Sequence, residues 1–74
     1  MYPYYRKLTG LDTWYKIVSE TEFHEVKRFG ERLVVEVIIA EQYPEKLRIQ
    51  DMIEADGEHY TKSESEAFEN FVKN

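Results

Sequence analysis

The chain has 74 residues, ten of them basic and fifteen acidic, for a formal net charge of −5. Apolar residues make up 42 % and aromatics 15 %, too much for an intrinsically disordered tail. The absence of cysteine excludes a disulfide framework and any cysteine-ligated zinc knuckle.

The longest apolar runs, 33–35 and 37–40, fall far short of the roughly 18 residues that span a bilayer. The amino terminus, Met1-Tyr2-Pro3-Tyr4-Tyr5-Arg6-Lys7, has no apolar core and no small-residue cleavage site. No secretory signal is therefore expected, and a cytoplasmic location is. One small globular domain over 1–74 fits the length. A domain of this size buries only about 60 % of the surface its unfolded chain exposes, so a good core or self-association must supply stability.

In chain order, the aromatic stretch 4–8 reads as a strand. Thr9-Gly10-Leu11-Asp12 has turn composition, and 13–18 is rich in aromatic and β-branched residues that suit a second strand. A hairpin follows. In 19–30, Ser19 and Glu22 have capping-box spacing, with Val18 and Phe23 placed as a hydrophobic staple. Glu20 and Glu22 lie early, Lys27 and Arg28 late, and Gly30 stands where a left-handed C-terminal residue belongs. These signals predict a helix over 20–29. The competing strand, 22–29, breaks alternation, because Phe23, Glu25, Lys27 and Phe29 would share one face.

Residues 32–40 read as a strand dominated by β-branched residues. Leu33, Val35, Val37 and Ile39 point one way; Val34, Glu36, Ile38 and Ala40 point the other. A strand apolar on two sides is usually central and covered on both. Residues 41–45 connect. Residues 46–53 fit a strand or a helix entered at Pro44; the early Lys46 and Arg48 and late Glu54 and Asp56 oppose a helix dipole, so a strand is predicted. Asp56-Gly57 signals a tight turn before a short strand at 58–62. A final helix follows from Ser63, with Glu66 at capping-box spacing and a stripe of Ala67, Phe68, Phe71 and Val72.

The expected fold is α+β: a small antiparallel sheet of three to five strands with two short helices, in the order β-β-α-β-β-(β)-α. The expected core is Trp14, Ile17, Val18, Phe23, Val26, Val35, Val37, Ile39, Ile49, Ile53, Phe68 and Phe71.

Little in the sequence carries catalytic chemistry. His24 and His59 each have an adjacent glutamate, Glu25 and Glu58. Neighbours on a strand or helix diverge, so neither pair should chelate as a unit and no metal is expected. The serines, at 19, 63 and 65, belong to helix starts, and no nucleophile elbow surrounds them. Three widely separated glycines cannot form a phosphate loop. No catalytic residue and no cofactor is therefore expected. Glu36 interrupts an apolar strand, which suits a residue that keeps strands from sticking together.

Two binding readings remain. Val34, Glu36, Ile38 and Ala40 would be left uncovered if both helices lay on the opposite face. Such a surface marks an interface with a protein partner or a twofold homodimer. The alternative is weak single-stranded nucleic-acid binding by Tyr4, Tyr5, Arg6, Lys7 and Trp14, which mix aromatics with base. The acidic balance makes nucleic acid the poorer partner. The function expected is a non-enzymatic protein–protein interaction module, with self-association as one form of it.

Overall fold

The computed structural model describes residues 2–73; the first and last residues of the expected domain lie outside the described residues. Five strands and two helices follow in order: β1 Tyr4–Leu8, β2 Thr13–Ser19, β3 Glu22–Phe29, β4 Arg32–Ile39, α1 Tyr43–Glu54, β5 Tyr60–Ser63 and α2 Ser65–Lys73. The strands form one sheet in the order β4-β3-β2-β1-β5, with every neighbouring pair antiparallel. The small α+β class therefore holds. Among the described residues no helix is long and apolar enough to cross a membrane.

Two segments differ from expectation. Residues 22–29 form β3 rather than a helix, and the residues that look like helix caps close hairpins instead. Ser19 Oγ accepts a hydrogen bond from the Thr21 amide at 3.2 Å, which tightens the β2–β3 loop. Gly30, at φ 62°, opens the two-residue loop between the paired Phe29 and Arg32. Short polar side chains and left-handed glycines serve turns as readily as caps. The broken alternation also has a cause. Glu25 does share a face with the fully buried Phe23, and it is buried among partners described below.

Residues 46–53 lie in α1 rather than in a strand. Pro44 sits in the first turn, where its fixed φ and missing amide cost nothing. Ile49 and Met52 point inward and are fully buried. The helix has no basic residue in its last turn. The sheet supplies one: Arg6 of β1 donates from Nε to Met52 O at 2.6 Å and from Nη2 to Ile53 O at 2.8 Å. A third bond, from Nη1, reaches Tyr5 O at 2.8 Å. Arg6 thus satisfies carbonyls that end the helix and places positive charge at the negative end of its dipole.

Pairing and alternation assign the faces. Tyr4, Arg6, Leu8, Thr13, Tyr15, Ile17, Phe23, Glu25, Lys27, Val34, Glu36 and Ile38 share one face. There Tyr15, Ile17 and Phe23 pack against Ile49 and Met52 of α1 and against Ala40, with Tyr4, Leu8, Ile38, Ile53 and Tyr60 around them. The opposite face carries Tyr5, Lys7, Trp14, Lys16, His24, Val26, Arg28 and the row Leu33, Val35, Val37 and Ile39. Helix α2 covers part of it. Phe68 lies 5.1 Å from the Tyr5 ring and 6.5 Å from Trp14, and Phe71 stacks on Trp14 at 5.3 Å. Arg28 Nη2 donates to Phe71 O at 2.6 Å. The helices therefore lie on opposite faces.

This layout corrects the expected role of 32–40. The segment is an edge strand, not a central one. A helix about 10 Å across covers about two strands of a sheet, and α2 covers the β1–β2 side. Val35, Val37 and Ile39, expected in the core, are 54, 55 and 49 % exposed. Tyr15, Met52 and Ala40 fill the core in their place.

Replacing Arg6 with methionine keeps bulk but leaves the Met52 and Ile53 carbonyls without their donor. The expected cost is about 2–3 kcal/mol of stability, read by urea denaturation. Amide exchange should accelerate first in the last turn of α1.

Candidate functional site

The feature that stands out is the open side of β4. Its eight residues pair with β3 without a register shift, so no bulge bends the edge away. The pair flanking a two-residue hairpin loop is hydrogen-bonded, and the pattern alternates from there. Arg32, Val34, Glu36 and Ile38 therefore turn their backbone groups to β3. Leu33, Val35 and Val37 turn theirs to the open edge, while the Ile39 carbonyl takes the Glu41 amide at 3.2 Å, and the same four residues carry the apolar row on the α2 face. One short strip thus presents free backbone donors and acceptors together with exposed aliphatic side chains. The sequence reading missed Arg32 and this row. The available signal was connectivity: once 22–29 is a strand, three consecutive hairpins put 32–39 at the end of a run of four strands.

The expected interface residues divide. Ala40 is 1 % exposed and Ile38 packs against the core beneath α1, so neither is presented to a partner. Val34 and Glu36 remain exposed at the edge. Glu36 sits directly opposite Glu25 on the same face. Among the described residues neither Glu36 nor Arg32 has an ion-pair partner.

Glu25 itself is surrounded. Its Oε2 accepts from Tyr15 OH at 3.1 Å and from Arg48 Nη2 at 3.3 Å, and Lys27 Nζ lies 3.4 Å from Oε1. The Arg48 guanidinium also lies over the Tyr15 and Phe23 rings, 5.6 and 5.2 Å from their centres. Burial, reinforced by the neighbouring Glu25 charge, pushes the Tyr15 phenol up to about 12. This cluster joins β2, β3 and α1. Each member is engaged with another, which makes it a structural tie rather than a reactive centre.

The five residues of the expected nucleic-acid patch do not form one surface. Tyr4 and Arg6 face α1, whereas Tyr5, Lys7 and Trp14 face α2. Arg6 is buried with its donors held by carbonyls, Tyr5 packs at a tilt on Phe68, and Trp14 is stacked on Phe71. Neither a stacking platform nor a basic groove results.

Neither histidine belongs to the Glu25 cluster. His24 Nε2 lies 2.9 Å from Glu22 Oε2 on the α2 face. His59 precedes β5 in a turn, where Asp56, Glu58 and His59 bring their ligand-type atoms within 4.8 Å of one another. That corrects the expectation that Glu58 and His59 must diverge: they belong to a turn, not to a strand or helix. All three are exposed. Asp56 Oδ1 accepts from the Glu58 amide at 2.8 Å and the His59 amide at 3.1 Å, and these bonds hold its carboxyl below the usual range. The turn borders a cleft of about 400 Å³ lined also by Leu8, Asp51, Glu54 and Tyr60. Its carboxylates are exposed, and that of Asp56 serves the turn.

Comparison with protein-family models, with curated proteins and with solved structures gives no match.

The Tyr15 phenol binds its proton more tightly folded than unfolded, where the value is about 10. Its contribution is intact below that pH and is lost as pH rises towards about 12. The melting temperature should fall across this window. Spectroscopic titration should show one of the six tyrosines ionising last, and Tyr15→Phe should abolish that late step.

Proposed function

We propose that this protein is a non-enzymatic protein-interaction module that accepts an extended chain segment along the open edge of β4. The observation that carries this reading is the contrast between the two edges of the sheet. At one end β5 is four residues long, polar at Thr61 and Ser63 and charged at Lys62, as protected edges are. At the other end β4 is twice as long and holds no proline. Only Arg32 and Glu36 in it are charged, and three aliphatic residues lie about half exposed.

An unprotected edge of this kind is a template for another strand. A docked strand would take its hydrogen bonds from Leu33, Val35 and Val37 and lay alternate side chains beside the apolar row that Ile39 completes. The buried groups support the same reading: Arg6, Arg48, Glu25 and Tyr15 are engaged in holding α1 to the sheet, so none of them is poised for chemistry.

Val35→Pro removes one outward amide while leaving the bonds to β3, a substitution that edge strands tolerate. A displayed random-peptide library selected on the wild-type protein should yield extended, β-branched sequences. Those peptides should bind the proline variant at least tenfold more weakly, by calorimetry, with circular dichroism unchanged. Equal affinity for both proteins, or no enrichment at all, would reject edge docking.

A further inference from the structure

Resting on the edge-docking reading, we propose that the strand seated on β4 is β4 of a second copy. The two run antiparallel about a twofold axis at Val34 and join two sheets into one of ten strands. The argument is self-complementarity. Across a twofold edge, residues directly opposite each other lie on the same face and must both be outward-bonding or both not. The axis therefore coincides with a residue position, and charge decides which.

An axis at Glu36 sets the two Glu36 carboxylates face to face. An axis at Val35 or Val37 leaves each Glu36 diagonal to the other, still within side-chain reach. An axis at Val34 removes the conflict. Arg32 of each copy then faces Glu36 of the other, Leu33 faces Val35, and Val34 meets its own counterpart. Leu33 and Val35 exchange backbone hydrogen bonds in both directions.

This arrangement answers two observations on the single chain. Glu36 lies opposite Glu25 on its own sheet and has no cationic partner among the described residues. Glu25 is engaged by Lys27 and Arg48, and Arg32 likewise has no carboxylate partner among the described residues. A second copy supplies each missing partner twice. Opposite charges directly across a strand pair favour that register, and like charges disfavour the others. The aliphatic row is also continued: Leu33 and Val35 of each copy lie beside those of the other in the middle of the joined sheet, with Val37 further out on either side. A second subunit is a common staple for a domain this small with no disulfide.

Sedimentation equilibrium up to several hundred micromolar should show a reversible dimer. Arg32→Glu and Glu36→Arg should each weaken it at least tenfold, and the double variant should recover most of the wild-type affinity. Both positions are exposed, so the variants should retain the wild-type circular dichroism. Because the chain has no cysteine, a single introduced one reports only on contact between copies. Val34→Cys should cross-link readily under mild oxidation, since opposed residues of a non-bonded pair lie about 4.5 Å apart at Cα, within disulfide reach. Val37→Cys should cross-link far more slowly.

Three results would overturn the inference: a monomer throughout the concentration range, a double variant no better than the singles, or faster cross-linking at Val37 than at Val34. A monomer that still binds selected peptides at β4 would reject the second copy and keep the docking edge. A dimer untouched by Val35→Pro, in a protein that binds no peptide, would reject both.

Discussion

The Arg6 guanidinium carries positive charge from β1, beside the edge strand β5, to the last turn of α1, and the arrangement of both edges follows from that contact. Helix α1 suits its dipole poorly: Glu45 lies in the first turn, but Lys46 and Arg48 follow it, Glu54 ends the helix and its last turn has no basic residue. Alone it would be a poor helix. Packed on the sheet, its Ile49 and Met52 are buried, its terminal carbonyls are held by Arg6, and its own Arg48 reaches down to Glu25. So anchored, α1 carries the chain from the end of β4 across one face to the far side of the sheet. There β5 pairs with β1. Had the chain turned back instead, β5 could have covered β4, and the sheet would have no long open edge.

How much of this could be read beforehand depended on whether the deciding partner was near in sequence. The first hairpin, the strand at 32–39, the turn at Asp56-Gly57 and the amphipathic last helix carry their signals locally, and all appear in the structure. The stretch 22–29 does not. Its apparent caps are turn residues, and its broken strand pattern comes from Glu25, which is admissible on the core face because Tyr15, Lys27 and Arg48 surround it. Arg48 is 23 residues away along the chain. The stretch 46–53 misleads in the same way, because the cation that makes its helix acceptable belongs to β1, 46 residues distant at the Met52 contact. Charge arguments confined to one element fail when another element supplies the counter-charge.

The candidate surface was half legible for a related reason. An apolar ribbon on two sides does point to a neighbour on two sides. Which side lacks one depends on where the ribbon falls in the sheet, and that in turn depends on the misread segment before it. With β3 in place, α1 takes the face of Ile38, and the row of Val35, Val37 and Ile39 is the one left bare. Val34 and Glu36 keep the place expected of them, but at an open margin rather than beneath a missing lid.

Trp14 gives the fold an uneven optical sensitivity. It is the only tryptophan, stacked on Phe71 and edge-on to Phe68, with its indole nitrogen buried and, among the described residues, without a hydrogen-bond partner. Its emission therefore reports how α2 sits on β1 and β2. It reports β4 less directly, because β4 lies two strands away beyond β3 at the edge of the sheet. A silent fluorescence trace would say that the last helix stayed seated, and little about what had arrived at the opposite border.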